Sequence, residues 1–201
     1  MRCRRCRCRR SEFLAIVTTH EHVLRDDRIV LRPLTDADLP ALYRWNADPE
    51  VLYWTEGDEN PEPMTPEDVD GMYEMISRDA LCFAIEVEGE MIGDCWLQKM
   101  NLPQVRALYP PGTDVRRIDV TIGDKRWWGK GVGTRMLRLL LEFAFNDQGV
   151  DVLHCICEDY NVRSCRLWER QGFALVDRKP HGARSELHWR LTKEEYRHRS
   201  L

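Results

Sequence analysis

Apolar and polar positions alternate along Arg117-Ile-Asp-Val-Thr-Ile122, then give way to a helical spacing at Met136, Leu137, Leu140, Leu141, Ala144 and Phe145. Alternation reads as a strand and the 3.6-residue spacing as a helix, which predicts a strand over 115–123 and a helix over 131–146. The same patterning predicts a strand near 29–34, then a helix opened by the capping-box-like Thr35-x-x-Asp38. Thr65-Pro66-Glu67-Asp68 opens another helix, with Val69, Met72, Tyr73 and Ile76 on one face. Strands at 82–87 and 91–99 are joined by the turn Glu88-Gly89-Glu90. A strand at 151–157 precedes a helix at 161–171, with Asn161 as N-cap, Gly172 just past the end and an apolar stripe at Val162, Cys165 and Leu167 or Trp168. Strands near 173–179 and 185–191 surround His181-Gly182. The class is α/β, a sheet with helices on both faces.

Between the central strand and its helix stands Arg126-Trp-Trp-Gly-Lys-Gly-Val-Gly-Thr134. Glycines let the backbone approach closely, and free N–H groups at a helix start meet an anion, so this arrangement holds a phosphate. A P-loop needs Ser or Thr after its Gly-Lys, but Gly131 follows Lys130. A dinucleotide fingerprint needs a third glycine at 134, where Thr stands, within repeated βαβ units.

What remains, Gly-x-Gly-x-Gly at 129, 131 and 133, resembles the pyrophosphate loop of the GNAT superfamily of N-acetyltransferases. Asn161-Val-Arg-Ser-Cys-Arg-Leu-Trp-Glu-Arg-Gln-Gly-Phe173 resembles that family's Asn-x-x-Ala-x-x-x-Tyr-x-Lys-x-Gly-Phe segment, in the expected order. Leu31-Arg-Pro-Leu-Thr-Asp-Ala-Asp-Leu39, Trp54…Gly57…Glu59…Pro63 and Arg117-Ile-Asp119 look like the aminoglycoside 6′-N-acetyltransferases. The ribosomal-protein N-terminal acetyltransferases share the opening and the Trp-Gly-Lys-Gly form of the loop. The resemblance implies a mixed, mostly antiparallel sheet that splays between its fourth and fifth main strands, with acetyl-CoA as co-substrate in the gap. It implies N–H groups from Trp128, Gly129, Lys130, Gly131, Val132, Gly133 and Thr134 around the pyrophosphate, with Lys130, Arg135 or Arg138 available for charge. Thr121 and Ile122 would pair with the pantetheine arm, and Asn161 would complete the cofactor set.

Asp119 is the expected base and amine contact. It lies twelve residues before Gly131, where the aminoglycoside enzymes carry an aspartate, and on the polar side of its strand. The bland alternative is a salt bridge to Arg116 or Arg117. Glu158 and Asp159, with Trp54, are expected to bind the acceptor. Position 168, often the tyrosine acid of the family, is Trp168 here, which leaves Tyr160, water or an unassisted thiolate for that step. His154, on a strand, is expected in the core.

The chain has 201 residues, enough for one domain with a sizeable core. No apolar run approaches the roughly 20 residues of a membrane span. The first ten residues carry six arginines, so the formal charge of −4 becomes −10 over 11–201, with 24 basic against 34 acidic residues. We expect residues 1–24 to form a basic, disordered tail and 25–201 a single domain. Cys3, Cys6 and Cys8 give three thiols with no adjacent His, so no metal is expected. Cys82, Cys95, Cys155, Cys157 and Cys165 sit in apolar patterns, as in a reducing cytoplasm. Asp48, Glu50, Glu56, Asp58, Glu59, Glu62, Glu67, Asp68 and Asp70 crowd one region, which would repel nucleic acid and attract a polycationic amine substrate. The expected protein is a monomeric or homodimeric cytoplasmic acetyltransferase acting on the 6′-amine of an aminoglycoside. Acetylation of protein N-termini and acyl-CoA binding without turnover are the alternatives.

Overall fold

Turn chemistry and strand patterning account for most of the sheet seen in the computed structural model, which describes residues 15–56 and 62–199. β1 (Leu24–Arg25), β2 (Ile29–Pro33), β3 (Ala80–Val87), β4 (Glu90–Lys99) and β5 (Val115–Thr121) run antiparallel, each to the next. The β3–β4 hairpin turns on Glu88 and Gly89, both at positive φ (55° and 80°), the conformation that a two-residue hairpin of this hand requires. β6 (Val152–Glu158) pairs with β8 (Arg184–Thr192), and β8 with the edge strand β7 (Ala174–His181). The sheet order is β1-β2-β3-β4-β5-β6-β8-β7. Among the described strands only β5 and β6 are parallel, and they pair at two positions, Val115↔Val152 and Arg116↔Leu153, before parting.

Two cores cover the two faces. α5 (Val132–Glu142) lays Met136, Leu137, Leu140 and Leu141 against Ile29, Leu31, Phe83, Ile85, Leu97 and Ile118. α1 (Leu39–Trp45) and α3 (Pro66–Ile76) bury Leu42, Trp45, Val69 and Tyr73 on the other face, over Cys82 and Ala84. The capping box expected at Thr35/Asp38 is formed, and the helix expected from Thr65 opens with a second one, Thr65/Asp68. The expected helix at 131–146 does not stay regular. It widens to a π turn over Phe143–Asp147, with the Gln148 N–H reaching the Phe143 carbonyl at 2.9 Å. Phe143, Ala144 and Phe145 are all buried, and three consecutive residues cannot all face one core from an ordinary α-helix.

α2 (Pro49–Thr55), α4 (Pro103–Arg106), α6 (Val162–Arg170) and α7 (Lys193–Arg199) complete the helices of the described residues. Of these only α6 is expected from the sequence. Its stripe shifts slightly, because Val162 is exposed and Trp168 is the fully buried member. The expectation of a tail through residue 24 is corrected for residues 15–24. Val17 is buried, its N–H and that of Ile16 donate to Asp36, and the Thr18 N–H donates to Ser77 Oγ. Residues 1–14 lie outside the described chain.

The sheet is tight beside its opening. A Cβ added at Gly93 would stand 2.2 Å from the Thr121 carbonyl oxygen across the β4–β5 pair. Gly93→Ala must push β5 away from β4, and overpacking of this kind costs about 1–3 kcal/mol. A lower urea midpoint with an unchanged slope is the expected result. An unchanged midpoint would show that the backbone there yields freely.

Candidate functional site

Where β5 and β6 part, a cleft of about 510 Å³ opens between β5, the glycine loop and α6. Val120, Thr121 and Ile122 line one wall, and Trp128, Gly129, Gly131, Val132, Gly133 and Thr134 line the mouth. Gly129 and Gly131 have φ of 72° and 78°, a left-handed conformation that side chains resist, and Gly131 is the cap residue immediately before α5. The first N–H groups of α5 are thereby aimed into the cleft with the positive end of its dipole.

The charges around this cradle differ from those expected. Lys130 does not line the cleft; its ammonium lies 5.1 Å over the Trp127 ring. Arg135 is drawn away by Asp26 and Asp27, at 2.9 and 2.7 Å. Arg138 is exposed on α5. The cations come from α6 instead, where Arg163, Arg166 and Arg170 line the cleft with Leu167. Their spacing of three and four residues puts them on one helical face, a signal present in the sequence but overshadowed by the glycine loop. Trp128 keeps its place at the mouth, though its indole N–H donates to the Ile122 carbonyl at 2.6 Å and so engages the strand end expected to pair with pantetheine.

The far side of the cleft is closed by α2. Asn161 accepts from the Ser164 N–H at 3.0 Å to cap α6, and its Nδ2 donates to the Trp54 carbonyl at 2.7 Å. The Tyr160 hydroxyl donates to the Tyr53 carbonyl at 2.7 Å, so it is engaged on α2 rather than directed at a leaving thiolate. The Arg163 guanidinium stands 4.3 Å from the centres of both the Trp54 and Trp128 rings, sandwiched between them.

Residues 28–174 match the family model described as an acetyltransferase (GNAT) domain, about three quarters of the chain. The chain belongs to the GNAT acetyltransferase family. It is 27% identical over 160 residues to an aminoglycoside N(6′)-acetyltransferase type 1 of Klebsiella pneumoniae, covering 74% of this chain and 75% of that one. Its fold matches AAC(6′)-Ib in complex with ribostamycin and coenzyme A with a TM-score of 0.69 at 25% identity, over 85% of this chain and 97% of that one. A GNAT-family acetyltransferase of Bacillus anthracis gives a TM-score of 0.70 at 17% identity, over 87% and 100%.

In this GNAT domain Trp168 is 2% exposed and packs on Phe173, so position 168 belongs to the core. Asp119 is held by Arg117 in a two-pronged pair, Nε–Oδ2 2.7 Å and Nη2–Oδ1 2.5 Å, as the salt-bridge reading expects, and does not itself line the cleft. Glu158 and Asp159 do not reach the cleft either. Glu158 contacts His181 at 2.6 Å and Asp159 faces Arg178 at 3.7 Å. Much of the acidic region is already spent. Asp48 and Glu50 pair with Lys125, Asp68 caps α3 and Asp70 accepts from Tyr43, while Asp58 and Glu59 lie outside the described residues. His154 is buried, as expected, between the Tyr109 hydroxyl and His188, and burial lowers it to about 4.

One carboxyl escapes the sequence reading. Asp94 pairs in register with Thr121 of the cleft wall, lies 2% exposed under α3 and accepts from the Tyr73 hydroxyl at 2.8 Å. Burial pushes it up from 3.8 to about 7; the Tyr73 hydrogen bond opposes this and the charge of Asp119 adds to it. Native Asp94 therefore keeps its proton up to about pH 7, whereas an unfolded aspartate loses it near 3.8. The folded chain binds more protons between those values, so stability falls as pH rises through them. Asp94→Asn keeps an acceptor for Tyr73 without that titration. The melting temperature of the variant minus that of the parent is expected to rise from pH 4 to pH 7. A difference independent of pH would show that Asp94 is ionised throughout.

Proposed function

We propose that the chain transfers an acetyl group from acetyl-CoA to a primary amine of an aminoglycoside, the 6′-amine. The observation that carries the reading is the cleft at the β5–β6 parting, with a glycine loop at a helix start on one side and three arginines of α6 on the other. Such a cradle suits a pyrophosphate, because N–H groups and guanidinium forks together neutralise a dianion. Bound there, acetyl-CoA supplies a thioester whose carbonyl carbon takes the amine and whose sulfur leaves as thiolate.

The protein's part is to place the chain of the co-substrate and to prepare the amine. Val120 and Thr121, on the edge of β5 that faces the parting, present backbone groups to an extended arm laid alongside. Arg117 holds both oxygens of Asp119, and an incoming ammonium competes for the same two. Asp119 then accepts the ammonium proton, directly or through one water, leaving the nitrogen lone pair free to attack. Asp119 shares its sheet face with Arg117, two positions before Thr121 of the cleft wall. An ammonium of the acceptor would meet Asp119 there, next to the cleft. The aminoglycoside preference rests on the likeness to the N(6′)-acetyltransferases and on Asp119 beside the cleft.

Acetyl-CoA at a hundredfold excess over its dissociation constant stabilises a native-only binder by about 2.7 kcal/mol, read as a rise in melting temperature. Gly131→Val puts a β-branched residue at a φ of 78° and a side chain where phosphate oxygens approach, so the rise should vanish while the fold remains. A persisting rise would take the loop out of the site. For the reaction, thiol release with kanamycin should exceed that with basic peptides, and Asp119→Asn should lower it roughly 10²- to 10⁴-fold, with partial recovery at higher pH. Faster turnover of a peptide than of every aminoglycoside would shift the acceptor to a protein N-terminus. Intact turnover with lowered stability would make Asp119 a salt-bridge partner only.

A further inference from the structure

The end of the sheet beyond the cleft carries a group of ligating side chains that acetyl transfer does not use. Glu158 ends β6 and Glu186 stands opposite it in the antiparallel register of β8. His181 closes β7, where the hairpin turns back into β8. One donor atom from each lies within 4.8 Å of the other two. His181 Nδ1 is 2.6 Å from Glu158 Oε1.

Two polar atoms at this place lack partners. Glu158 Oε2 is buried with no hydrogen bond among the described residues. His188, 1% exposed, has no hydrogen-bond partner for Nε2 among the described residues, and that atom stands 3.7 Å from Glu186 Oε2. A buried anionic oxygen left unsatisfied is costly, and an ion is one of the few things that explains it. Behind His188 the contacts continue inward, from its Nδ1 to His154 Nε2 at 2.9 Å and from His154 Nδ1 to the Tyr109 hydroxyl at 2.6 Å. If Tyr109 donates at one end, His154 must donate to His188, whose Nε2 then carries the hydrogen that faces Glu186. A donor behind a carboxylate in this way orients it, as the outer partners of metal ligands do.

We propose that Glu158, His181 and Glu186 bind a divalent transition-metal ion of the zinc type, with His188 positioning Glu186. An imidazole nitrogen with two carboxylate oxygens suits such an ion, and water completes its shell on the open side. Donors around one zinc ion stand on the order of 3.5 Å apart. The two-thirds-exposed His181 side chain, at a turn, can close the remaining distance without moving the strands. The neighbouring cation Lys179, paired with Glu186 in register, is drawn toward Asp177 at 3.7 Å. The proposal is independent of the acetyl acceptor.

Calorimetric titration of the full chain with zinc chloride tests it, in a Cys3→Ser/Cys6→Ser/Cys8→Ser background that removes the N-terminal thiols. One equivalent of zinc is expected to bind in that background and to be lost in His181→Ala and in Glu186→Gln. Both are substitutions at accessible side chains, and an unchanged metal-free melting temperature confirms that the fold is kept. Absence of any bound equivalent in the thiol-free chain would overturn the site. So would an equivalent that survives both substitutions, which would assign the zinc to the Cys157–Cys165 pair, 3.6 Å apart.

Discussion

The parting of β5 from β6 is the constraint on which the site depends. The two strands run parallel, joined through α5, and they share a ladder only while their twists agree, here for two residue pairs. Beyond Arg116 each edge turns away from the other. One edge keeps backbone groups free to face a ligand, and the gap becomes the cleft. The cores on both faces hold this geometry open. α5 is wedged on one side by Met136, Leu137 and Leu140, and α1 and α3 clamp the β2–β4 half on the other.

The electrostatics follow from what each arginine is allowed to do. Arg135 and Arg117 are tied by carboxylates close at hand, so neither is available to a ligand in the cleft. The arginines of α6 face the opening because α6 starts at the lip of β6 and packs its other side, Trp168 and Cys165, into the core. Burial also decides the carboxyls. Asp119, partly exposed and paired with a guanidinium, sits two strand positions from Thr121, whose partner Asp94 is buried and holds its proton to about pH 7.

Local signals were legible in the chain. The glycine loop, the Asn161 cap, Gly172, the capping box at Thr35, the helix start at Thr65-Pro66 and the hairpin at Glu88-Gly89 each depend on a few neighbouring residues, and each forms as expected. Features set by register or by distant partners were not. Glu158, His181 and Glu186 are brought together by two strand pairings, and Asp94 is buried only because α3 crosses above it. The segment 15–24 reads as polar tail but is fixed by Asp36 and Ser77, which no local pattern announces. Short helices such as α2 and α4 carry too few turns for a periodic signal to rise above noise.

The side chain of Asn161 does two things at once, ending the backbone of α6 with its oxygen and fastening α2 through Trp54 with its nitrogen. A single amide thus makes the start of one helix and the seat of another a shared cooperative unit. Arg163, two residues on and stacked between Trp54 and Trp128, extends that unit to the glycine loop. Three segments far apart in the chain therefore loosen or tighten together. The walls of the cleft behave less like independent flaps than like a keystone arch, in which displacing any one stone slackens the span.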